Sequence, residues 1–125
     1  MSHPADILVT PLKRIRTPGG DVLHAMKKSD DGYGGFGEAY FSTVEKGAVK
    51  AWKRHRNMVC NLIVPSGTVR FVIYDDRDDY GKGRFHEFIF SKENYCRLTL
   101  PPMVWFGFQG KAEPFSLVLN IADME

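Results

Sequence analysis

Short runs of β-branched and aromatic residues, broken at intervals by Gly, Pro and Asp clusters, recur from one end of the chain to the other, and that rhythm restricts it to an antiparallel β protein. The runs cover residues 7–13, 22–26, 38–44, 49–54, 58–64, 69–75, 85–90, 95–100, 105–109 and 116–121. Between them stand Pro18-Gly19-Gly20, Asp30-Asp31-Gly32, Pro65-Ser66-Gly67, Gly81-Lys82-Gly83 and Pro101-Pro102, residue combinations that favour tight turns. Parallel strands need long crossover connections, commonly helical, and helical spacing has little support anywhere. About ten short strands without crossovers predict a sandwich, a jelly roll or a barrel, with edges that must be closed off.

With 125 residues the chain has room for one hydrophobic core, so residues 1–125 are expected to form a single domain. Hydrophobic residues at 43% and aromatics at 13% supply a packed interior and argue against disorder. Seventeen Lys and Arg against fifteen Asp and Glu leave a net charge of +2, too little for wholesale binding to nucleic acid, so any anion site is local. Cys60 and Cys96 are too few for a disulfide framework or a four-ligand zinc site, and the expectation is two reduced thiols. The N-terminal sequence has no basic stretch leading into an apolar run, and no segment is long enough to span a bilayer. A cytoplasmic protein with no membrane partner is expected.

Strand alternation separates two chemistries. In residues 38–43, Glu38, Tyr40 and Ser42 share one face while Ala39 and Phe41 share the other. In residues 69–75, Arg70 and Tyr74 lie together, opposite Phe71, Ile73 and Asp75. Lys50, Lys53, Arg54, His55 and Arg56 put five cationic or potentially cationic groups within seven residues, beside Trp52. Phosphate oxygens favour Lys and Arg, and a neighbouring aromatic can stack on a nucleobase or cover a sugar face, so the cluster reads either as a diphosphate site or as a solvated strand end. Ser42 and Ser66 have no adjacent base, and the Gly-rich residues 32–37 precede no helix, so neither a nucleophile motif nor a phosphate loop is supported.

Gly47-Ala48-Val49-Lys50-Ala51-Trp52-Lys53-Arg54-His55, then Val64-Pro65-Ser66-Gly67-Thr68-Val69-Arg70-Phe71-Val72-Ile73-Tyr74-Asp75-Asp76-Arg77, and later Pro101-Pro102-Met103-Val104-Trp105-Phe106-Gly107-Phe108, occur in an order that resembles the dTDP-4-dehydrorhamnose 3,5-epimerase family of cupins. Those stretches resemble the family's Arg-Gly-Leu-His strand, its Gly-x-Val turn into a strand ending Val-Asp-x-Arg, and its Ala-His-Gly-Phe element. The resemblance runs from about Gly37 to Asn120. It implies an all-β cupin jelly-roll barrel, commonly a homodimer, that binds a thymidine-diphosphate sugar in its mouth and uses no metal or organic cofactor. It also implies relatives that continue beyond Asp123-Met124-Glu125 with a short charged tail.

The resemblance further implies chemistry beside a ketone. The carbonyl of a 4-keto-6-deoxy sugar acidifies the neighbouring carbons, so a base removes a proton and an acid returns one through an enolate. In the family the base is His and the acid Tyr. Here Lys53 stands at the position of the motif His, Leu119 at that of the Tyr, Phe106 at that of the later His and Lys50 at that of a phosphate-facing Arg, while Asp75 and Arg77 keep the Asp-x-Arg pair. With Phe106 at the later His position, a metal site is not expected. The candidate catalytic residues are therefore Lys53 or His55 as base and Tyr40 as acid, with Tyr74 and Tyr80 as other phenols. Glu38, Lys50, Trp52, Arg54, Arg70, Tyr74 and Trp105 are the candidate substrate contacts. Three functions remain open: a dTDP-4-keto-sugar epimerase or isomerase, a cupin that binds a sugar or a partner without catalysis, and an isomerase of a non-nucleotide substrate.

Overall fold

The structure, a computed structural model, describes residues 6–78 and 81–125. Tyr80 lies outside the described residues. Eleven strands follow in order: β1 (Leu8–Pro11), β2 (Arg14–Thr17), β3 (Gly20–Leu23), β4 (Glu38–Glu45), β5 (Val49–Lys53), β6 (Cys60–Ser66), β7 (Val69–Asp75), β8 (Arg84–Phe90), β9 (Cys96–Leu100), β10 (Trp105–Gly110) and β11 (Phe115–Ala122). Nearly all were expected from their apolar runs. The exception is β2, whose Arg-Ile-Arg-Thr is too short and too charged to show alternation and is held by pairing with β3 across the Pro18-Gly19 turn.

The strands make a five-stranded sheet, β1-β9-β6-β11-β4, and a four-stranded sheet, β5-β10-β7-β8, with β2-β3 as a separate hairpin. Every strand-to-strand ladder is antiparallel. The all-β class is as expected, but the closed barrel is not. No backbone ladder joins edge strand β4 of one sheet to edge strand β5 of the other. The turn between them is stitched to the end of β10, where Gly47 N–H donates to the Gly110 carbonyl at 2.8 Å and Gly110 N–H to the Ala48 carbonyl at 3.1 Å. Away from that stitch the edges part and leave a cleft into the interior.

Between the sheets lies one apolar core. Val44, Leu62, Val64, Leu98, Leu100 and Val118 come from one side, and Val69, Phe71, Ile73, Phe90, Phe106 and Phe108 from the other. The Phe71 ring sits 5.9 Å from Phe90 and 5.7 Å from Phe108, centroid to centroid, within the range where tilted aromatic pairs attract. The five-stranded sheet is covered on its outer face as well. Arg97, fully buried on β9, donates to the Ala25 carbonyl at 2.8 Å and the Asp31 carbonyl at 3.1 Å and lies 3.3 Å from the Asp30 carboxylate. Asn61 Nδ2 donates to the Gly32 carbonyl at 3.2 Å. The chain following β3 is thus pinned over β9 and β6 by polar groups that need those partners once buried. Among the described residues no comparable segment covers the four-stranded sheet, whose outer face keeps Val49, Trp52, Phe85 and Ile89 exposed.

One irregularity decides which residues face the cleft. Phe106 pairs with Lys53 but Phe108 pairs with Lys50, so β5 advances three residues while β10 advances two. This is a β-bulge, which shifts the alternation of side chains by one. Strict alternation would send Lys50 and Lys53 to opposite faces. The bulge turns both inward and leaves Ala51 and Trp52 side by side on the outer face. Gly107 lies opposite, and a Cβ built on it would come 2.5 Å from Ala51 Cβ and 3.1 Å from the Lys50 carbonyl oxygen. Gly107→Ala is therefore expected to cost about 1–3 kcal/mol, the usual range for overpacking. Urea unfolding reads this as a lowered midpoint at unchanged slope, and an unchanged midpoint contradicts the fit.

Candidate active site

The cleft between β4 and β5 has a volume of about 60 Å³ and is lined by Tyr40, Ser42, Lys50, Lys53, His55 and Asn120 over an apolar floor of Leu62, Phe106, Phe108 and Val118. Alternation along β4 aims Tyr40 and Ser42 inward with buried Val44. Glu38 shares that register, opposite Ala122, but is not among the lining residues. Lys50 spans the gap between the sheets, its Nζ donating to the Thr43 carbonyl at 2.7 Å. No ion pair joins Lys53 to Glu38 among the described residues.

His55 follows β5 and is held from two sides. Its carbonyl accepts the Met103 N–H at 2.7 Å, and its ring tilts against Phe106 at 6.0 Å. Met103 adopts a φ of 74°, a left-handed conformation that bulky side chains rarely take, so the turn carrying it is strained where it meets His55. Burial, and after it the charge of Lys53, lowers the His55 imidazole below its ordinary 6.5. Both causes penalise the imidazolium, so at neutral pH the ring is a free base.

The structure divides the candidate residues into two groups. Tyr40, Lys50, Lys53 and His55 meet in the cleft. Trp52, Tyr74 and Trp105 instead line, with Phe85, a 380 Å³ hollow on the outer face of the four-stranded sheet. Arg70 borders a neighbouring 290 Å³ hollow beside Trp52 and pairs with Glu87, and the Arg54 guanidinium stacks 4.4 Å over the Trp105 ring. These five are not brought into the cleft. Asp75 and Arg77 form a two-bond fork, both contacts 2.8 Å, beside the turn into β8. That guanidinium holds the Asp75 carboxyl below its usual range.

Sequence reasoning missed Asn120. On β11, Ser116, Val118, Asn120 and Ala122 all face inward and are buried, so an Asn in register with Val118 was the available signal. Leu119, at the position matching the family's Tyr, points to the opposite face. The phenol in the cleft comes from the neighbouring strand instead: Tyr40 stands directly across from Asn120, with 3.1 Å between the Asn120 amide nitrogen and the Tyr40 oxygen. Cys60 lies below them, its thiol pushed up to about 11 by burial, and both cysteines are free and buried.

No family model matches the chain. Among curated proteins it is 31% identical over 84 residues to a probable low-salt glycan biosynthesis epimerase, Agl13, of Haloferax volcanii. That match takes in 66% of this chain and 54% of the relative, so the chain spans about half the length of the curated protein it matches. Among solved structures, a dTDP sugar isomerase from Desulfovibrio desulfuricans G20 is 36% identical, with 96% of this chain and 78% of that one aligned at a TM-score of 0.91. A dTDP-4-dehydrorhamnose 3,5-epimerase from Sulfolobus tokodaii, 20% identical, aligns over 98% of this chain and 72% of its own at a TM-score of 0.79, a likeness of fold.

A histidine held below its unfolded value contributes stability that is present above about pH 6.5 and lost as pH falls through the folded value. The His55 titration midpoint, followed by NMR, is expected below 6.5. Lys53→Met is expected to raise it only part of the way back, because burial, the larger cause, remains. A midpoint at or above 6.5 in the unmodified protein contradicts this.

Proposed function

Because the chain belongs to the dTDP-4-dehydrorhamnose 3,5-epimerase-like family of cupins, whose solved members include the dTDP sugar isomerase above, we propose that it binds a dTDP-4-keto-6-deoxy sugar and moves a proton on a carbon beside the ketone. The observation that carries the reading is the meeting of a neutral imidazole, a phenol and two ammonium groups in one cleft, from His55, Tyr40, Lys53 and Lys50. His55 is the base, since its imidazole is kept unprotonated at neutral pH. Lys53 then supplies positive charge for the enolate oxygen, and Tyr40 supplies a proton. Lys50 is the remaining cation, placed to meet the diphosphate. The cleft, about 60 Å³, takes the reacting edge of a sugar ring, with the nucleotide lying outside over the parted edges.

We further propose a homodimer formed through the outer face of β5-β10-β7-β8. Trp52 is 51% and Phe85 66% exposed there, around hollows of 380 and 290 Å³. Arg70 and Glu87 place both signs of charge on that face, as a self-complementary contact requires. The same reading puts the protein in the cytoplasm, in keeping with two unpaired cysteines. No helix of the described residues is long and apolar enough to cross a membrane.

Solvent deuterium incorporation into dTDP-4-keto-6-deoxyglucose tests the chemistry. His55→Gln is expected to lower it at least ~100-fold, the usual worth of a general base, while dTDP still raises the Tm. Unchanged incorporation would remove His55 as the base, and stabilisation of the unmodified protein without any incorporation would favour a binding module. For the dimer, light scattering is expected to give twice the chain mass, falling to one chain mass in Phe85→Glu/Ile89→Glu. A monomer at the outset rejects it.

A further inference from the structure

The proposed chemistry leaves one buried polar residue of the cleft unused. Asn120 is only 4% exposed, and its carboxamide is tied at three points. Its Oδ1 accepts the Asn61 backbone N–H at 3.2 Å, and its Nδ2 lies 3.1 Å from Tyr40 Oη and 3.6 Å from Cys60 Sγ. The first contact settles which way the amide faces, because a backbone N–H only donates and the atom beside it must be the oxygen. Nδ2 therefore faces Tyr40, and an amide nitrogen also only donates. At this contact the phenolic oxygen is the acceptor, so its own proton points elsewhere. The cleft, which Tyr40 lines together with Lys53 and His55, is among the directions left to it. Asn61 is itself anchored, accepting from Thr99 Oγ1 at 2.6 Å and donating to the Gly32 carbonyl at 3.2 Å, so the amide sits in a chain of bonds with little freedom to turn over.

We propose that Asn120 is a positioning residue that orients Tyr40 as a proton donor toward the cleft, an inference that rests on the proton-transfer reading of the site. In the reaction, the His55 imidazole takes the carbon-bound proton and the C–H electron pair moves onto the ketone oxygen as an enolate. The Tyr40 O–H bond then breaks as its proton forms the new C–H bond and the enolate collapses to the ketone. The phenolate regains a proton from water, and the imidazolium returns its own to water. Without Asn120, the Tyr40 hydroxyl is free to rotate and to act as acceptor toward the same cleft.

Asn120→Asp tests this at constant size. One carboxylate oxygen still accepts from Asn61 N–H, while the other faces Tyr40 and forces the phenol to donate away from the cleft. With dTDP-4-keto-6-deoxyglucose deuterated beside the ketone, loss of label to solvent reports abstraction, and product formation reports proton return. Asn120→Asp is expected to reduce product formation about 100-fold, the scale of a lost general acid, with label loss falling less than about threefold. Tyr40→Phe should show the same split, and the double variant should be no slower than either single one. Equal loss of both rates, or product formation at the unmodified rate, overturns the proposal. A second measurement needs no activity: Tyr40→Phe is expected to shift an Asn120 side-chain amide proton upfield in the NMR spectrum, and an unmoved resonance also overturns it. If that resonance moves while the unmodified protein neither loses label nor forms product, the orientation of Asn120 is supported and the proton-transfer reading falls.

Discussion

Lys50 and Lys53 share the inner face of β5 because that strand carries one more residue than its partner between the Phe106 and Phe108 pairings. In a regular strand, residues three apart point to opposite sides. The bulge gives the cleft two ammonium groups at once and moves Ala51 and Trp52 together to the outside. Its location also matters. It sits on an edge strand, where the missing neighbour on one side lets the backbone bend, and it faces Gly107, the residue whose lack of a Cβ leaves room for Ala51. The cationic interior and the aromatic exterior of the four-stranded sheet are two results of one register shift.

The two sheets solve the problem of exposed surface differently. The five-stranded sheet is sealed on its outer side by the segment that Arg97 and Asn61 hold, and β9 is buried on both faces. Its interior groups are correspondingly fixed: Thr99 bonds Asn61, Asn61 bonds Asn120 and Asn120 bonds Tyr40. Hydrogen bonds among buried groups are costly to leave unmade, so such a chain fixes the Asn120 amide beside the cleft. The four-stranded sheet has only its inner face covered. Its edge strand β5 carries the cations, and opposite it β4 contributes the phenol, so the site lies across a gap that side chains bridge and backbone does not.

The all-β class was legible because it depends on run length and turn residues, both local properties; the expected strand 69–75 matches Val69–Asp75 and the expected 105–109 falls one residue short of Trp105–Gly110, both from alternation and apolar runs. Tyr40 and Ser42 were placed on one face correctly for the same reason. What alternation cannot reveal is where it breaks: the bulge at Ala51 and Trp52 leaves no signature in a run reading Val-Lys-Ala-Trp-Lys, so the outward position of Trp52 beside Tyr74 and Trp105 emerged only from the register. Closure was overestimated because hydrogen bonding between β4 and β5 is a matter of tertiary geometry. Arg97 shows the same limit. A charged residue in a strand reads as exposed, yet this one is fully buried because residues far earlier in the chain supply its acceptors.

On the proposed function, ligand chemistry belongs to the gap between β4 and β5 and not to the aromatic outer face. A crystal structure with dTDP-4-keto-6-deoxyglucose bound to the Tyr40→Phe protein tests it most directly. Density for the sugar ring is expected between His55, Lys53 and residue 40, with the diphosphate toward Lys50. Density for the sugar over Trp52, Tyr74 and Trp105 would contradict it.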